Sequence, residues 1–175
     1  MEKFEENEKE FNEELARIYN EDQQDRIDKL WEQDVNLMQE RDDARLYRVI
    51  DMVEAGLCKT PADYYYAAMV LQHGRETRHY KMAHEFVSKA VGDGFKEREG
   101  EVDPVWLIAA TKDRSLMSEG KPQMYGTQSL GGGPNDPVYM YEVDPTTTDE
   151  ERAHFHVQPL AVLQKRIEDA NKPKD

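Results

Sequence analysis

Apolar residues along this chain recur mostly at helical rather than strand spacing. Phe4, Phe11, Leu15 and Ile18 follow one another at steps of seven, four and three, which places them on one stripe of an N-terminal helix. A second run carries Ile27, Leu30, Trp31 and Met38, and a third carries Leu46, Val49, Ile50 and Val53, with Gly56 suited to end it. Residues 22–55 read as one helix or two, and Asp42-Asp43 is the favoured break. Thr60-Pro61-Ala62-Asp63 supplies a capping residue, a first-turn proline and a first-turn acid, so a helix begins there. It carries Tyr64, Ala67, Ala68 and Leu71 inward and ends near His73-Gly74. The next helix holds Tyr80, Ala83, Phe86, Val87 and Ala90 and stops at Gly92-Asp93-Gly94. Small residues at 67, 68, 83 and 90 let the two approach closely, as in an antiparallel helical hairpin.

Asp103-Pro104 opens a further helix through Trp106, Leu107, Ala110 and Leu116, which Gly120-Lys121-Pro122 ends. Between Gln123 and Val143 the pattern changes to glycines, prolines and short apolar runs such as Val138–Tyr141. That stretch reads as a loop with one short hairpin. Thr148 and Glu151 form a capping box, and a terminal helix after Pro159 uses Leu160, Leu163 and Ile167. The fold class expected is mainly α: an irregular, single-domain helical bundle with tetratricopeptide-like hairpin pairs and a Gly/Pro-rich loop or short β-hairpin near 123–143. No repeat period is sustained, so a solenoid is not expected. The organisation expected is an acidic helix over 1–20, a helical domain over 21–170 and a frayed tail over 171–175.

Length and charge narrow the functions. A chain of 175 residues suits one core. The net charge is −14, and seven Glu fall between Glu2 and Glu14 against Lys3 and Lys9. Such a field repels phosphate backbones and anionic membranes, so neither nucleic acid nor membrane is an expected partner. The start of the chain lacks an apolar secretion signal, which makes the cytoplasm the expected location. Cys58 is the single cysteine, which excludes an intrachain disulfide or a cysteine-rich zinc site.

Several segments carry a resemblance. They are Glu21-Asp22-Gln23-Gln24-Asp25-Arg26, then Ala67-Ala68-Met69-Val70-Leu71-Gln72-His73-Gly74, then Asp113-Arg114, and finally Gly120-Lys121-Pro122-Gln123-Met124-Tyr125-Gly126-Thr127-Gln128. Together they resemble a bacterial family known as a domain of unknown function (domain of unknown function 6624), over residues of about 20 to 160. The Pro-Gln-x-Tyr-Gly-Thr-Gln run is the most specific piece. The resemblance implies a helical domain, no assigned reaction or cofactor, and recurrent positions at Asp22, Gln23, Arg26, Gln72, His73, Asp113, Arg114, Gln123, Tyr125, Thr127 and Gln128. The stretch around Gly131-Gly132-Gly133 departs from it.

Read for their chemistry, these residues divide into two groups. His73, Asp113 and Tyr125 are candidate catalytic residues, because an imidazole that titrates near neutrality moves protons and a carboxylate orients it. Asp22, Gln23, Arg26, Gln72, Arg114, Gln123, Thr127 and Gln128 are candidate ligand-binding residues, with Arg114 as the anion anchor. The structural alternative is equally concrete: His73 at a helix end, Asp22 with Arg26 as an i,i+4 ion pair, and the glutamines as hydrogen-bonding supports of a loop. Glu76-x-x-His79 and His154-x-His156 offer too few ligands for a metal site. No phosphate-binding loop or nucleophile elbow is present, so no metal and no cofactor are expected. Two functions follow. One is a ligand site with acid–base chemistry on a small polar, anionic or peptide-like molecule, which leaves catalysis itself open. The other is a noncatalytic helical module that binds a protein partner.

Overall fold

A computed structural model describes residues 11–132 and 136–172. The expected helix at the N-terminus is seen from Glu13, and Phe4 lies outside the described residues. α1 (Glu13–Ile27) starts at Asn12, whose side chain accepts from the amides of Glu14 and Leu15. The helix runs through residue 20 without a break and buries Leu15, Ile18 and Tyr19. A boundary at 20/21 would therefore cut a core helix.

The break in the next stretch falls earlier than Asp42-Asp43. Lys29 adopts a left-handed conformation (φ 52°) between α1 and the single turn α2 (Leu30–Gln33). Asp34 then caps α3 (Val35–Glu54) by accepting from Leu37 N–H. Asp42 and Asp43 stay helical because their carboxylates reach arginines outside the turn: Arg26 for the first, Arg75 for the second. Gly56 (φ 67°) ends α3, with Leu57 N–H on Met52 O and Gly56 N–H on Val53 O. This pairing satisfies the last carbonyls, and only glycine enters it without strain.

α4 (Pro61–Leu71) begins with the expected capping box of Thr60 and Asp63. The buried Asp63 carboxylate also accepts from the amides of Asn12, Lys59 and Thr60, which ties the start of α1 to the start of α4. α4 is buried almost all round, from Tyr65 to Leu71. α5 (Thr77–Gly92) and α6 (Pro104–Ser118) complete the centre, and α4–α5 and α5–α6 are the most extensive helix pairings. Ala67, Ala68, Ala83 and Ala90 are all buried, as their small size requires where helices meet. α1 and α3 cover the other side of α4.

The segment after α6 folds back over it. β1 (Ser129–Leu130) and β2 (Tyr139–Met140) pair antiparallel, and Gln123 and Val143 form an isolated bridge. α7 (Asp149–His154) has the expected Thr148–Glu151 capping box, and α8 (Leu160–Ala170) follows Pro159. A small second core joins Ala109, Tyr125 and Val157, with Trp106, Phe155 and Leu163 around it. Asn171 is not frayed: its amide donates to Val138 O and accepts from Val138 N–H. The fold is mainly helical with one minimal sheet, as the periodicity indicates. Among the described residues no helix is long and apolar enough to cross a membrane.

Leu15 is wholly buried where α1 meets the main core. Leu15→Ala should lower stability by about 2–5 kcal/mol, the range for a leucine deleted from a packed site. Urea unfolding followed by circular dichroism measures it.

Candidate functional site

The segment 123–128 has no regular structure, yet buried side chains hold it from two sides. Asp113, on α6, is fully buried and has no cationic partner among the described residues. Its carboxylate accepts from the amides of Met124 (2.7 Å), Tyr125 (3.0 Å) and Thr127 (3.0 Å) and from the Thr127 hydroxyl (2.8 Å). Arg152, on α7 and also buried, pairs with Asp149 (3.2 Å) and holds carbonyl oxygens of the same segment. It donates to Tyr125 O (3.1 Å) and Met124 O (3.4 Å), and to Thr147 O. Four donors fill both Asp113 oxygens, so this carboxylate anchors the loop and turns no free lone pair to a substrate. The expected catalytic part for Asp113 is corrected on that ground.

The glutamines lock the same loop. Gln123 is completely buried; it donates to Gln128 O and Tyr141 O and accepts from Gln128 N–H. Gln128 donates to Ala110 O and the Thr127 hydroxyl and accepts from Arg114 Nε (3.2 Å). Tyr125 is mostly buried, with its ring 4.9 Å from that of Phe155. Burial raises its hydroxyl above the usual tyrosine range, which leaves it a poor acid.

Arg114 connects this loop to the other cluster of polar residues. One position on from Asp113, it is turned about 100° around α6 and donates to Gln72 O (2.7 Å) at the end of α4. Its two hydrogen-bond acceptors are uncharged, and desolvation lowers its pKa. His73 follows Gln72, with Nε2 3.7 Å from Asp22 Oδ2. Asp22 is held by Gln23 Nε2 (2.8 Å) and Arg26 (2.9 Å). Arg26 then reaches Asp42, which pairs with Arg45; Arg45 pairs with Asp25, and Asp25 with Arg41.

The candidate residues therefore form two bonded groups, Asp22, Gln23 and Arg26 on α1, and Gln72, Asp113, Arg114, Gln123, Tyr125, Thr127 and Gln128 around the loop, with His73 near Asp22 but not hydrogen-bonded to it. They do not line one cleft together. Thr127 and Gln128 face a cavity on the α8 side, whereas His73, Asp22 and Arg114 meet between α1, α4 and α6.

Within that second place, hydrogen bonding is incomplete. Among the described residues Arg45 Nε and His73 Nε2 are out of solvent contact without a hydrogen-bond partner, and Asp22 Oδ1 is held as an ion pair, 2.9 Å from Arg26 Nη1. Burial pushes the Asp22 carboxyl up to about 6 in spite of Arg26 and Arg45 beside it. Burial, reinforced by Arg26, Arg114 and Arg45, holds His73 well below the usual histidine value, so the ring is neutral at pH 7. Asp25 shows the opposite balance: two arginines outweigh its burial and lower its pKa. Three guanidinium groups (26, 41 and 45) pair with three carboxylates (22, 25 and 42), while Arg114 bonds uncharged acceptors.

Sequence reading missed Arg45 and Arg152. An isolated arginine on a charged helix carries no signal of burial, and Arg152 looked like one more residue of a short capped helix. Glu76 and His79 prove to be a helix start, with Glu76 N–H donating to His79 Nδ1 (3.3 Å). His156 pairs instead with Asp103 (2.6 Å).

The chain matches no protein-family model, no curated protein and no solved structure. The family resemblance rests on the quoted segments alone.

Two outcomes test this description. Asp113→Asn removes a charged acceptor from four donors and should cost about 3 kcal/mol or more. Amide exchange at Met124, Tyr125 and Thr127 should accelerate with it. Asp22 differs in sign: its pKa is raised on folding, so its ionised form opposes folding, and that penalty disappears as pH falls through about 6. Asp22→Asn should then melt at or above the wild-type temperature at pH 7.5, with the gap closing below pH 6.

Proposed function

We propose that His73, Asp22 and Arg114 form a ligand site with acid–base capacity for a small anionic or peptide-like molecule. Membership of the resembled bacterial family is part of this reading, since the recurrent positions include all three residues. One observation carries it: among the described residues His73 Nε2 is buried without a hydrogen-bond partner, 3.7 Å from Oδ2 of the buried Asp22 carboxylate. Buried polar atoms are almost always bonded in a finished core, so an orphaned ring nitrogen beside a buried carboxylate favours a place for a ligand.

The division of labour follows from charge. Arg114 has no carboxylate partner among the described residues and so is the group that holds an anion. His73, neutral at pH 7, is the proton acceptor. Asp22, near its titration point at about 6, exchanges a proton with the ring or steadies its charged form. Arg26 and Gln23 set the orientation of Asp22. Gln72 and Gln128 fix Arg114 through its Nη1 and Nε, while Asp113, Gln123, Thr127 and Tyr125 keep the supporting loop in place.

A noncatalytic interaction module remains the second reading, on one observation. Ile27, Trp31 and Val35 are 73%, 46% and 53% exposed and follow one another at steps of four around the α1–α2–α3 corner. Apolar residues grouped on a surface mark contact sites more often than scattered ones do.

N-acetylglycine, a minimal peptide-like carboxylate, is the test ligand. It should shift the His73 ring nitrogens in a histidine-selective NMR spectrum. Arg114→Gln should weaken it about tenfold, roughly 1.4 kcal/mol. Binding should tighten as pH falls through about 6, because protonating Asp22 removes a negative charge beside the anion. If N-acetylglycine, acetate and phosphate all leave the His73 ring unshifted, the reading fails and the interaction module takes precedence.

A further inference from the structure

A separate cavity of about 270 Å³ lies under α8, on the far side of the 123–128 loop from His73. Trp106 of α6, Met140 of β2 and Leu163 and Ile167 of α8 supply its apolar lining, and Arg166 stands among them. The volume is close to nine times the roughly 30 Å³ of one liquid water, and just under the ~300 Å³ at which small-molecule pockets begin.

The polar side chains at its wall are not equally available. Gln128 has its amide committed to Arg114, Ala110 and Thr127, and the Thr127 hydroxyl is committed to Asp113. Neither is free to bind a polar head. Arg166 is exposed and makes no ion pair or hydrogen bond among the described residues. In a chain of net charge −14, a guanidinium without a carboxylate beside an apolar cavity is a departure from the general charge balance. The wall itself is held firmly. Gly126 has φ 85°, and a Cβ there would stand 3.3 Å from a Leu163 methyl carbon, so the loop and α8 meet at a position that favours glycine.

We infer that this cavity binds a small amphipathic anion, a monocarboxylate whose apolar part of about eight carbons fills the space between Trp106, Met140, Leu163 and Ile167 while its carboxylate meets Arg166. An apolar lining with one cation is selective for that combination. A neutral apolar molecule leaves Arg166 unused, and a small polar anion leaves the lining empty. This site does not depend on the His73 reading and shares no ligand with it.

Trp106 gives a direct measurement, because the protein has only two tryptophans and Trp31 lies on the surface away from the cavity. In the full chain carrying Trp31→Phe, Trp106 is the sole tryptophan and reports occupancy by its emission. Octanoate should change that emission saturably, and butanoate should not. Octanol, equal in chain length but uncharged, should bind more weakly than octanoate. Arg166→Gln should weaken octanoate about threefold to tenfold, the scale of a partly exposed guanidinium–carboxylate pair. It should leave octanol binding and the melting temperature unchanged. No saturable response to octanoate overturns the proposal. An octanoate response that Arg166→Gln does not weaken overturns it as well, since the cavity is then only a nonspecific apolar surface.

Discussion

The second half of this fold depends on a buried carboxylate and a buried guanidinium that never touch each other. Asp113 collects amide hydrogens of residues 124, 125 and 127, and Arg152 collects carbonyl oxygens of 124 and 125. The Met124–Tyr125 peptide is bonded at both ends, its N–H by Asp113 and its C=O by Arg152, whose own ion pair is with Asp149. An irregular segment cannot satisfy its own backbone, and burying it unpaired would cost a few kcal/mol per group. These two side chains meet that need, and Tyr125 and Phe155 can then pack as a small core over Ala109. The loop is as fixed as a strand without having a strand's ladder.

That rigidity has a consequence at Arg114. Its Nε is held by Gln128, whose amide is held by Ala110 O and Thr127, which is held by Asp113. The guanidinium therefore has a set direction, with Gln72 O receiving its Nη1. Side chains that sit between rigid elements keep their geometry through packing rather than through their own rotamer preference, which is the support a binding site needs.

Much of the architecture is legible from the chain. Capping signals at Thr60, Asp103 and Thr148 mark helix starts where they occur, and the small residues of α4 and α5 mark a tight pairing. The misplaced break shows the limit of such signals. Asp42-Asp43 looks like a turn because local reading assigns acids to solvent, but Arg26 and Arg75 come from elsewhere to pair with them. A tertiary partner overrides a local preference. The candidate residues fall into loop anchors around Asp113 and a cluster around His73, a division that sequence spacing does not give, because it does not tell which of two neighbours on α6 faces which way. Asp113 and Arg114 differ by one position and serve different places.

The remaining question is why Asp22, His73 and Arg114 are buried together. Each is shifted toward its neutral form by desolvation: the acid upward, the two bases downward. Where ion pairs serve stability, the balance runs the other way, as at Asp25 and at Arg45, whose pKa is raised by Asp42 and Asp25 against its burial. The two behaviours lie side by side on the same helices, within one network of charges. Both Asp25 oxygens accept from arginines, Arg41 and Arg45, whereas among the described residues Arg45 Nε and His73 Nε2 make no hydrogen bond and Asp22 Oδ1 meets Arg26 only as an ion pair. A core selected for stability alone would replace such groups by apolar ones of similar size, commonly with a gain. That Asp22, His73 and Arg114 are shifted toward their neutral forms, whereas Asp25 and Arg45 beside them are not, is the physical ground of the ligand-site proposal.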